Sequence, residues 1–403
     1  MLSVKEATQK VLGSPVKYKT GNVYILDSLF RVLAEDIISQ DDIPTCDNSA
    51  VDGFALKAAD LFGAERNRPV KLKLFSEDIP AGKIPCTVIE SGTCMKIMTG
   101  APIPQGCDCV VMKEDVSKQG SDVLIFSEHK QGENIRLKGE DIKKGDMVIK
   151  KGKKIYPADI GVLASIGRSE ILVNKQPVIG IITTGDELIE INNKLELGKV
   201  RDSNSYFLAA QILETGAIFK KYGILKDNKD LIREHILHAL NECDILLLTG
   251  GVSVGDYDYV KEVLTNIGAE SIFSGVKQKP GKPVTFLTFN EKFIFGLPGN
   301  PVAAMVCFEL YVRPLIKKIM GDEQLFRKKV LAKAAGNYFH KDGRTEFIRV
   351  KLDCRENGFY FTTTGSQGSG VLMSMAEADG LAIFPEFNGN IAKETEVEVF
   401  LLK

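Results

Sequence analysis

The sequence predicts a multidomain α/β protein organised around one doubly wound domain with a mixed sheet. From about residue 175, short apolar runs alternate with amphipathic helical patterns. Glycine-rich loops follow several of these runs, as they do at the carboxyl edge of a parallel sheet. Short β-patterned runs separated by Gly and Pro dominate the stretches before and after this region, which predicts two further β domains.

Composition narrows the class of protein. The chain has 403 residues, enough for several domains, and its formal net charge of −1 gives no general attraction to nucleic acid or to a membrane. No apolar run approaches membrane-spanning length, and Met1–Glu6 lacks the apolar region of a signal peptide. Eight cysteines are too few for a disulfide scaffold, so packed thiols in a reducing cytoplasm are expected.

The N-terminal region is predicted to form a small domain of helices and strands. Ser3 and Glu6 have the spacing of a capping box. A second helix is expected over Leu29–Glu35, and Pro157 is placed to open a third. An inserted all-β domain is predicted from the runs Val70–Phe75, Cys94–Met98, Cys109–Met112 and Val123–Phe126. The turn-rich segment 42–55 of this insertion is typical of a functional loop.

The doubly wound domain is predicted from alternating elements. Strands are expected at Val178–Ile182, Ala217–Lys220 and Ile245–Leu248, and a helix at Tyr206–Glu214. Asp230 is expected to cap the next helix. Two residues separate the runs Val284–Phe289 and Phe293–Leu297, which predicts a hairpin and hence a mixed sheet. Asn300 and Pro301 suit the first positions of a long helix. The tail adds strands at Phe347–Val350, Phe359–Thr362, Ala382–Phe384 and Val397–Leu401.

Three loops are predicted to share the carboxyl edge of this sheet, where doubly wound domains bind ligands. They are Gly185–Glu187, Gly250–Asp258 and Gly299–Pro301. The second loop contains Gly250, Gly251, Ser253 and Gly255. Its backbone N–H groups are expected to cradle an anion, although a tight turn that needs glycine for geometry alone is the competing interpretation. It matches neither a Walker A loop nor the dinucleotide-binding glycine motif, so ATPase and Rossmann oxidoreductase interpretations lose support.

Charged residues cluster near the same edge. The acids are Asp186, Glu187, Asp227, Asp256 and Asp258, of which all but Asp227 are candidate metal ligands. Mg²⁺ prefers carboxylate oxygens and often bridges to substrate phosphates, but each acid alone also suits a solvated loop or a helix cap. Lys279 and Lys282 flank Pro280 and Gly281, where they would hold an oxyanion or form an ordinary basic turn. The glycine and hydroxyl loop 364–370 is equally open between a polar ligand and a turn.

Seven motifs together resemble one family. They are Asp47–Ala55, Met98–Pro102, Gly139–Asp141, Thr184–Leu188, Gly250–Asp256, Lys279–Pro283 and Leu297–Pro301. Their order is similar to that of the molybdopterin molybdenumtransferase (MoeA) family, which is related to the E domain of gephyrin. The resemblance covers nearly the whole chain and extends to the loop 365–369.

This resemblance implies an enzyme of molybdenum cofactor biosynthesis. It would take adenylylated molybdopterin and molybdate, require Mg²⁺, and release AMP. The resemblance also implies a cytoplasmic homodimer, with possible transient contact with the molybdopterin adenylyltransferase and none with nucleic acid or membrane. Four domains are implied: residues 1–40 with 140–174, which form the dimer, then 41–139, 175–325, which resembles a molybdopterin-binding domain, and 326–403. The active cleft would be shared with the partner subunit.

Site residues carry over motif by motif. The implied catalytic residues are Asp52, Thr99, Asp141, Glu187, Asp227, Asp258 and Lys279. The implied substrate-binding residues are Gly250, Gly251, Ser253, Gly255, Lys282, Pro298, Gly299, Asn300, Pro301, Arg349 and Ser369. Asp52, Thr99 and Asp141 follow from the resemblance alone. The chain departs from the family at Val51, Asp256, Ser274 and Gly275, which affects substrate contacts more than identity.

The resulting hypothesis places molybdate near Lys279 and the loop Pro298–Pro301, with Mg²⁺ against the pyrophosphate of the adenylylated pterin. The pterin dithiolene would bind the metal product, and the protein would position groups and stabilise charge. Two alternatives remain: a non-catalytic scaffold that binds a receptor peptide, as gephyrin also does, and an adenylyltransferase acting alone. The intact acids and glycine loops argue against the first, and the additional domains argue against the second.

Overall fold

The structure, a computed structural model, describes residues 1–75, 78–250, 259–387 and 389–403. The chain divides into two compact units. The first contains Met1–Asn22, Phe30–Ala34 and Leu172–Lys403, and the second contains Val23–Leu29 and Glu35–Ile171. The strands Thr20–Tyr24 and Glu170–Asn174 cross the sequence boundaries between the units. In the described residues, no helix is both long and apolar enough to cross a lipid bilayer.

The described part of the first unit contains a mixed six-stranded sheet. Its order is Ile218–Leu225, Val178–Thr184, Ile245–Thr249, Lys292–Leu297, Thr285–Phe289 and Glu270–Ser274. The first four strands run parallel, and the hairpin adds an antiparallel partner, which confirms the predicted mixed sheet. The central strand Ile245–Thr249 is buried at every residue, as expected for a strand covered on both faces. A small parallel ladder joins Leu188–Ile189 to Val200–Arg201.

Helices cover both faces of this sheet. On one face, Ile181 and Leu247 pack in a core with the helices Val4–Gly13, Asn204–Thr215 and Pro301–Ile319. The last of these contains a π-helical turn at Phe308–Val312. On the other face, Ile182 and Leu246 pack against the helices Lys229–Glu242 and Tyr259–Asn266. The arrangement confirms a doubly wound domain, because apolar side chains of alternating strand residues enter separate cores.

The C-terminal strands of the first unit form a closed ring in the residues that the structure describes. In order they are Thr345–Arg355, Gly358–Thr363, Lys329–Ala334, Glu396–Leu401 and Gly380–Phe384, which pairs with Thr345–Arg355 again. The short strand Gln278–Lys279, from the sequence of the doubly wound domain, pairs in parallel with Thr345–Arg355. The helix Leu372–Ala376 lies in the connection before Gly380–Phe384. The predicted C-terminal β domain is therefore confirmed.

The second unit is largely β, as the insertion predicts. Its described residues contain a six-stranded sheet in the order Cys109–Met112, Gly53–Leu56, Thr93–Ile97, Val70–Leu74, Asp122–Ile125 and Val116–Gln119. Shorter strand pairs are Asn48–Ser49 with Ile135–Arg136 and Ile37–Ile38 with Met147–Ile149. Its helix is Pro157–Ser165, and 3₁₀ turns lie at Ile25–Ser28, Ala58–Leu61 and Lys113–Asp115. Phe54 and Leu72 belong to the apolar core beneath the sheet.

Three local predictions are wrong. Leu29–Glu35 forms no helix, because Phe30 adopts φ of 62° and Leu33 bridges to Val173. The helix Lys229–Glu242 is capped by Asn228, whose side chain accepts hydrogen bonds from the N–H groups of Asp230 and Leu231. The eight cysteines, all within the described residues, are free thiols, but three are exposed rather than packed: Cys46, Cys86 and Cys354.

Candidate functional site

The carboxyl ends of the parallel strands meet at one edge of the sheet. Thr184 lies opposite Leu225, Thr183 lies opposite Thr249, and Thr249 lies opposite Leu297. The loops that follow these four strands therefore start beside one another, as predicted for three of them. The strand order reverses between Val178–Thr184 and Ile245–Thr249, which is the position where open α/β sheets form their ligand crevice.

Two backbone segments approach each other so closely at this reversal point that one of them requires glycine. Gly250 has φ of 84°, and a Cβ atom there would lie 2.1 Å from the Thr184 carbonyl oxygen. No other residue type fits such a distance, because the obstacle is backbone. The Thr184 hydroxyl is buried and has no hydrogen-bond partner among the described residues. A polar group left in this state at a crevice is suited to a bound ligand or water.

Two of the predicted acids meet beside this crevice. The Asp227 N–H donates to Asp186 Oδ1 at 3.4 Å, and the Gly185 N–H donates to the Leu225 carbonyl at 3.2 Å. Asp227 is exposed, but desolvation by neighbouring protein raises its pKa, and the negative charges of Asp186 and Glu187 raise it further. The three acids therefore act on one another electrostatically, which is the arrangement that a cation would relieve.

The N-terminus of the helix Pro301–Cys307 closes another side of the edge. Pro298 is buried, whereas Gly299 and Asn300 are exposed. The Asn204 side chain donates to the Gly299 carbonyl at 2.8 Å and fixes the loop from below. Asn300 occupies the N-cap position, but its side chain makes no capping hydrogen bond. Its amide therefore faces solvent rather than serving the helix.

The basic turn packs against the same helix. Gly281 has φ of 94°, and a Cβ atom there would lie 2.4 Å from Cys307 Sγ. Lys282 is exposed, while Lys279 Nζ donates to Glu346 Oε1 at 3.1 Å. The turn therefore packs closely against this helix, and the Lys279 ammonium group is held by a carboxylate.

The glycine and hydroxyl loop of the tail also reaches this helix. The Val302 N–H donates to the Ser369 carbonyl at 3.1 Å. Arg349 is buried, and its guanidinium donates to the carbonyls of Ser366 and Gly368 at 3.2 and 3.0 Å. Burial lowers the pKa of Arg349 to about 10. Arg349 therefore shapes the loop from inside rather than facing the crevice.

The second unit carries the remaining predicted residues. The N–H and hydroxyl of Thr99 donate to Asp52 Oδ1 at 2.9 and 2.8 Å, and Lys113 Nζ lies 3.3 Å from Asp52 Oδ2. These hydrogen bonds, led by the Thr99 backbone, hold the pKa of Asp52 below its usual range. Asp141 is exposed, and its N–H donates to the Ile43 carbonyl at 3.1 Å. Asp52 is thus a carboxylate whose ionised form is stabilised and whose position is fixed by Thr99.

Part of the predicted glycine loop lies outside the described residues. These positions are Gly251, Ser253, Gly255, Asp256 and Asp258. Within the described residues, no group of three His, Cys, Asp or Glu side chains is arranged to hold a metal ion. The Asp186 carboxylate accepts a hydrogen bond from the Asp227 backbone N–H, and the charges of Asp186 and Glu187 raise the pKa of Asp227, so these carboxyl groups are near one another. Two protein carboxylates are enough where substrate phosphates complete the coordination of Mg²⁺.

Sequence reasoning missed several residues that build the site. Asn204 and Glu346 sit inside regular elements, where they resemble ordinary helix and strand residues. In the strand Thr345–Arg355, Glu346 is followed by apolar residues that are buried, and a buried acid requires a partner of opposite charge or a hydrogen-bond donor. That burial is a usable signal, but the identity of the partner depends on strand pairing across distant sequence.

Comparison with known proteins covers the whole chain. Family models match three regions: the MoeA N-terminal region (domains I and II) at residues 2–167, a probable molybdopterin binding domain at 180–318, and the MoeA C-terminal region (domain IV) at 332–402. Molybdopterin molybdenumtransferases of Staphylococcus epidermidis and Staphylococcus aureus are each 36% identical over 384 residues, which is 95% of this chain and 91% of theirs.

The fold has the same relatives. A solved structure of the molybdopterin biosynthesis MoeA protein from Pyrococcus horikoshii matches with a TM-score of 0.83 and 32% identity, covering 100% of both chains. The match extends through the N-terminal and C-terminal regions, so the scaffold and the separate adenylyltransferase alternatives are not favoured. The chain therefore belongs to the molybdopterin molybdenumtransferase family and is an enzyme of molybdenum cofactor biosynthesis.

Proposed function

We propose that the chain inserts molybdate into adenylylated molybdopterin and releases AMP and the molybdenum cofactor. The observation that carries this proposal is the meeting of an acidic group and a glycine-lined crevice at one sheet edge, in a chain 36% identical to molybdopterin molybdenumtransferases. The acids suit a cation that accompanies a pyrophosphate, and the basic turn suits an oxyanion.

Each group has a distinct proposed role. Gly250 gives the substrate close access to the backbone, and Glu187 and Asp227 surround the phosphoanhydride. Lys279, with Lys282, Asn300 and the helix N-terminus, holds molybdate as an oxyanion. Asp52 and Thr99 act as a fixed carboxylate and hydroxyl pair toward the substrate of a partner subunit. These groups position the reactants and stabilise charge, which is most of what such a transfer asks of a protein.

We propose that Mg²⁺ is the ion that this reaction requires. Asp186 and Glu187 are its proposed ligands beside Asp227, whose pKa is raised first by desolvation and then by the negative charges of these two acids, a repulsion that a cation would relieve. Asp256 and Asp258 remain proposed ligands on sequence grounds. When bound, Mg²⁺ would offset the negative charge of the pyrophosphate.

Release of AMP is expected to require both molybdate and Mg²⁺. Purified protein is incubated with adenylylated molybdopterin, and AMP is followed by chromatography with each component omitted in turn. Equal release of AMP in excess EDTA without molybdate contradicts the proposal. Consumption of ATP with molybdopterin in the absence of molybdate would instead identify an adenylyltransferase.

We also propose that the chain is a homodimer. In the second unit, Ile38 lies opposite Met147 on paired strands, and both side chains are exposed, as are Tyr24 and Leu26. Exposed apolar groups of this kind favour contact with another chain. Light scattering at micromolar concentration is expected to give about twice 44.2 kDa. The mass of a single chain there would contradict both the dimer and a cleft shared between subunits.

The remaining features of this proposal concern organisation and location. The four-domain division places boundaries near residues 174 and 325, close to the gaps at 168–179 and 319–331 between the matched family regions. A reducing cytoplasm suits a protein whose eight cysteines are free thiols in the described residues. Transient contact with the molybdopterin adenylyltransferase would let the adenylylated intermediate pass directly between the two enzymes.

A further inference from the structure

A strand pairing places Lys279 beside a buried acid. The short strand Gln278–Lys279 runs parallel to the start of Thr345–Arg355, with Lys279 opposite Glu346. Lys279 Nζ and Glu346 Oε1 are 3.1 Å apart. The Lys279 side chain is 49% exposed, whereas the Glu346 side chain is 8% exposed. The lysine therefore reaches solvent, and the carboxylate that holds it does not.

The far side of Glu346 is enclosed by a histidine. His340 Nε2 lies 2.6 Å from the Pro385 carbonyl oxygen, which only accepts, so Nε2 carries a proton. His340 Nδ1 faces Glu346 Oε2 at 4.0 Å and has no hydrogen-bond partner among the described residues. The Phe384 ring packs edge-on against the imidazole, and the His340 side chain has no exposed surface. Glu346 is thus directed toward Lys279.

A buried carboxylate in this setting needs the lysine for charge compensation. Glu346 also affects the lysine: it holds the ammonium of the otherwise flexible Lys279 side chain at one place. An ammonium has three N–H donors. One donor serves Glu346, and two are left for a ligand on the exposed side.

We propose that Glu346 is a positioning residue that fixes the Lys279 ammonium for molybdate. This inference rests on the proposed function, in which Lys279 holds the oxyanion. Glu346 does not touch the substrate. It acts by holding the ammonium in the orientation that the oxyanion requires, so that less ordering remains to be done when molybdate binds.

A neighbouring ion pair provides a matched control. Lys277 Nζ lies 2.9 Å from Glu386 Oε1, with side-chain exposures of 42% and 15%. The Lys277 carbonyl accepts a hydrogen bond from the Thr345 N–H at 3.0 Å, so this pair spans the same junction of segments. It differs in that Lys277 has no proposed role toward molybdate. Glu386→Gln therefore removes a similar ion pair without altering Lys279.

The test compares molybdate dependence in four variants: Glu346→Gln, Lys279→Ala, the double variant and Glu386→Gln. AMP release is measured as a function of molybdate concentration, together with the melting temperature of each protein. Glu346→Gln is expected to raise the KM for molybdate about tenfold with a smaller change in kcat, since Gln is uncharged and leaves Lys279 mobile. Lys279→Ala is expected to raise it at least as much. The double variant is expected to match Lys279→Ala, and Glu386→Gln to match the wild type.

Each outcome separates this inference from the proposed function. An unchanged KM in Glu346→Gln, with a raised KM in Lys279→Ala, overturns the positioning role and leaves the proposed function standing. Effects of Glu346→Gln that persist in the Lys279→Ala background also overturn it, because they would not act through the lysine. An unchanged KM for molybdate in Lys279→Ala would show that Lys279 does not bind molybdate, which overturns both this inference and the proposed role of Lys279. Should Glu346→Gln fold poorly, Glu346→Asp retains the charge, and withdrawal of its carboxylate by one methylene is expected to give an intermediate KM.

Discussion

Asp227→Asn is expected to lower turnover by about 100-fold or more without destabilising the protein. Asp227 lies beside Asp186 and Glu187: its backbone N–H donates to Asp186 Oδ1 at 3.4 Å, and the charges of both acids raise the pKa of its carboxyl group. Removing its charge would weaken the hold on a cation and on the phosphoanhydride beside it. Turnover is measured as AMP release at saturating molybdate, and stability as the melting temperature at neutral pH.

The raised pKa of Asp227 fixes the sign of the stability change. Its carboxyl group binds a proton more tightly in the folded state than in the unfolded state. Its contribution to the free energy of unfolding therefore falls as pH rises through the unfolded pKa toward the folded pKa, and the ionised group is unfavourable at neutral pH. Asp227→Asn should melt no lower than the wild type at pH 7. Any increase in the melting temperature of Asp227→Asn over the wild type should vanish in acid, where Asp227 is protonated in both the folded and the unfolded state.

A nearby acid serves as the control for this prediction. Asp230 is exposed in the first turn of the helix Lys229–Glu242. Asp230→Asn removes an equal charge three residues away and is expected to keep near wild-type turnover, at a cost of about 0.5 kcal/mol from the helix dipole. Near wild-type turnover in Asp227→Asn would show that its carboxylate is an ordinary surface group.

Arg349→Lys is expected to reduce turnover about tenfold and to lower the free energy of unfolding by about 2–3 kcal/mol. The Arg349 guanidinium bonds two loop carbonyls and also donates from Nε to Ser374 Oγ at 3.1 Å. A single ammonium cannot span these acceptors, so partly buried loop carbonyls would lose their hydrogen-bond donor. The loop that presents Ser369 to the helix N-terminus would then move away from the crevice.

The control for Arg349 lies on the same strand. Arg355 is exposed near the strand end, where Nε lies 2.6 Å from Asp353 Oδ2. Arg355→Lys is expected to leave both the free energy of unfolding and turnover nearly unchanged, because the pair is exposed to solvent. Chemical denaturation gives the free energies, and AMP release gives the turnover. Equal effects of the two substitutions would refute a special role for the buried guanidinium.

Periodic sequence patterns predicted most of the fold. The continuous apolar run at Ile245–Leu248 could only be satisfied by a strand covered on both faces, and the two-residue link at Asn290 and Glu291 required a hairpin. The wrong predictions occurred where contacts with residues far away in the sequence determine the local structure. Leu29–Glu35 has helical composition, but Leu33 pairs with Val173, and such a tertiary pairing overrides weak propensity.

The candidate site was only partly accessible to the same reasoning. Asp186, Glu187 and Asp227 follow strands of a predictable sheet, so their common edge follows from topology. Asp52 and Thr99 are 47 residues apart, and their pairing depends on the inserted β domain, so the family resemblance was needed to select them. Glu346 was not predicted, because Pro280 and Pro283 made the segment read as a turn. Its short strand Gln278–Lys279, which pairs beside Glu346, was therefore not expected.

The pairing of Gln278–Lys279 with the C-terminal ring affects how relatives of this protein could recombine. A crossover between residues 319 and 331 would separate two matched family regions cleanly in sequence. It would also divide Lys279 from Glu346, because the two lie on opposite sides of that joint. A chimaera would inherit the lysine from one parent and its carboxylate from the other. Substitutions at these two positions are therefore expected to be correlated among relatives, although the two positions belong to different domains in the linear sequence.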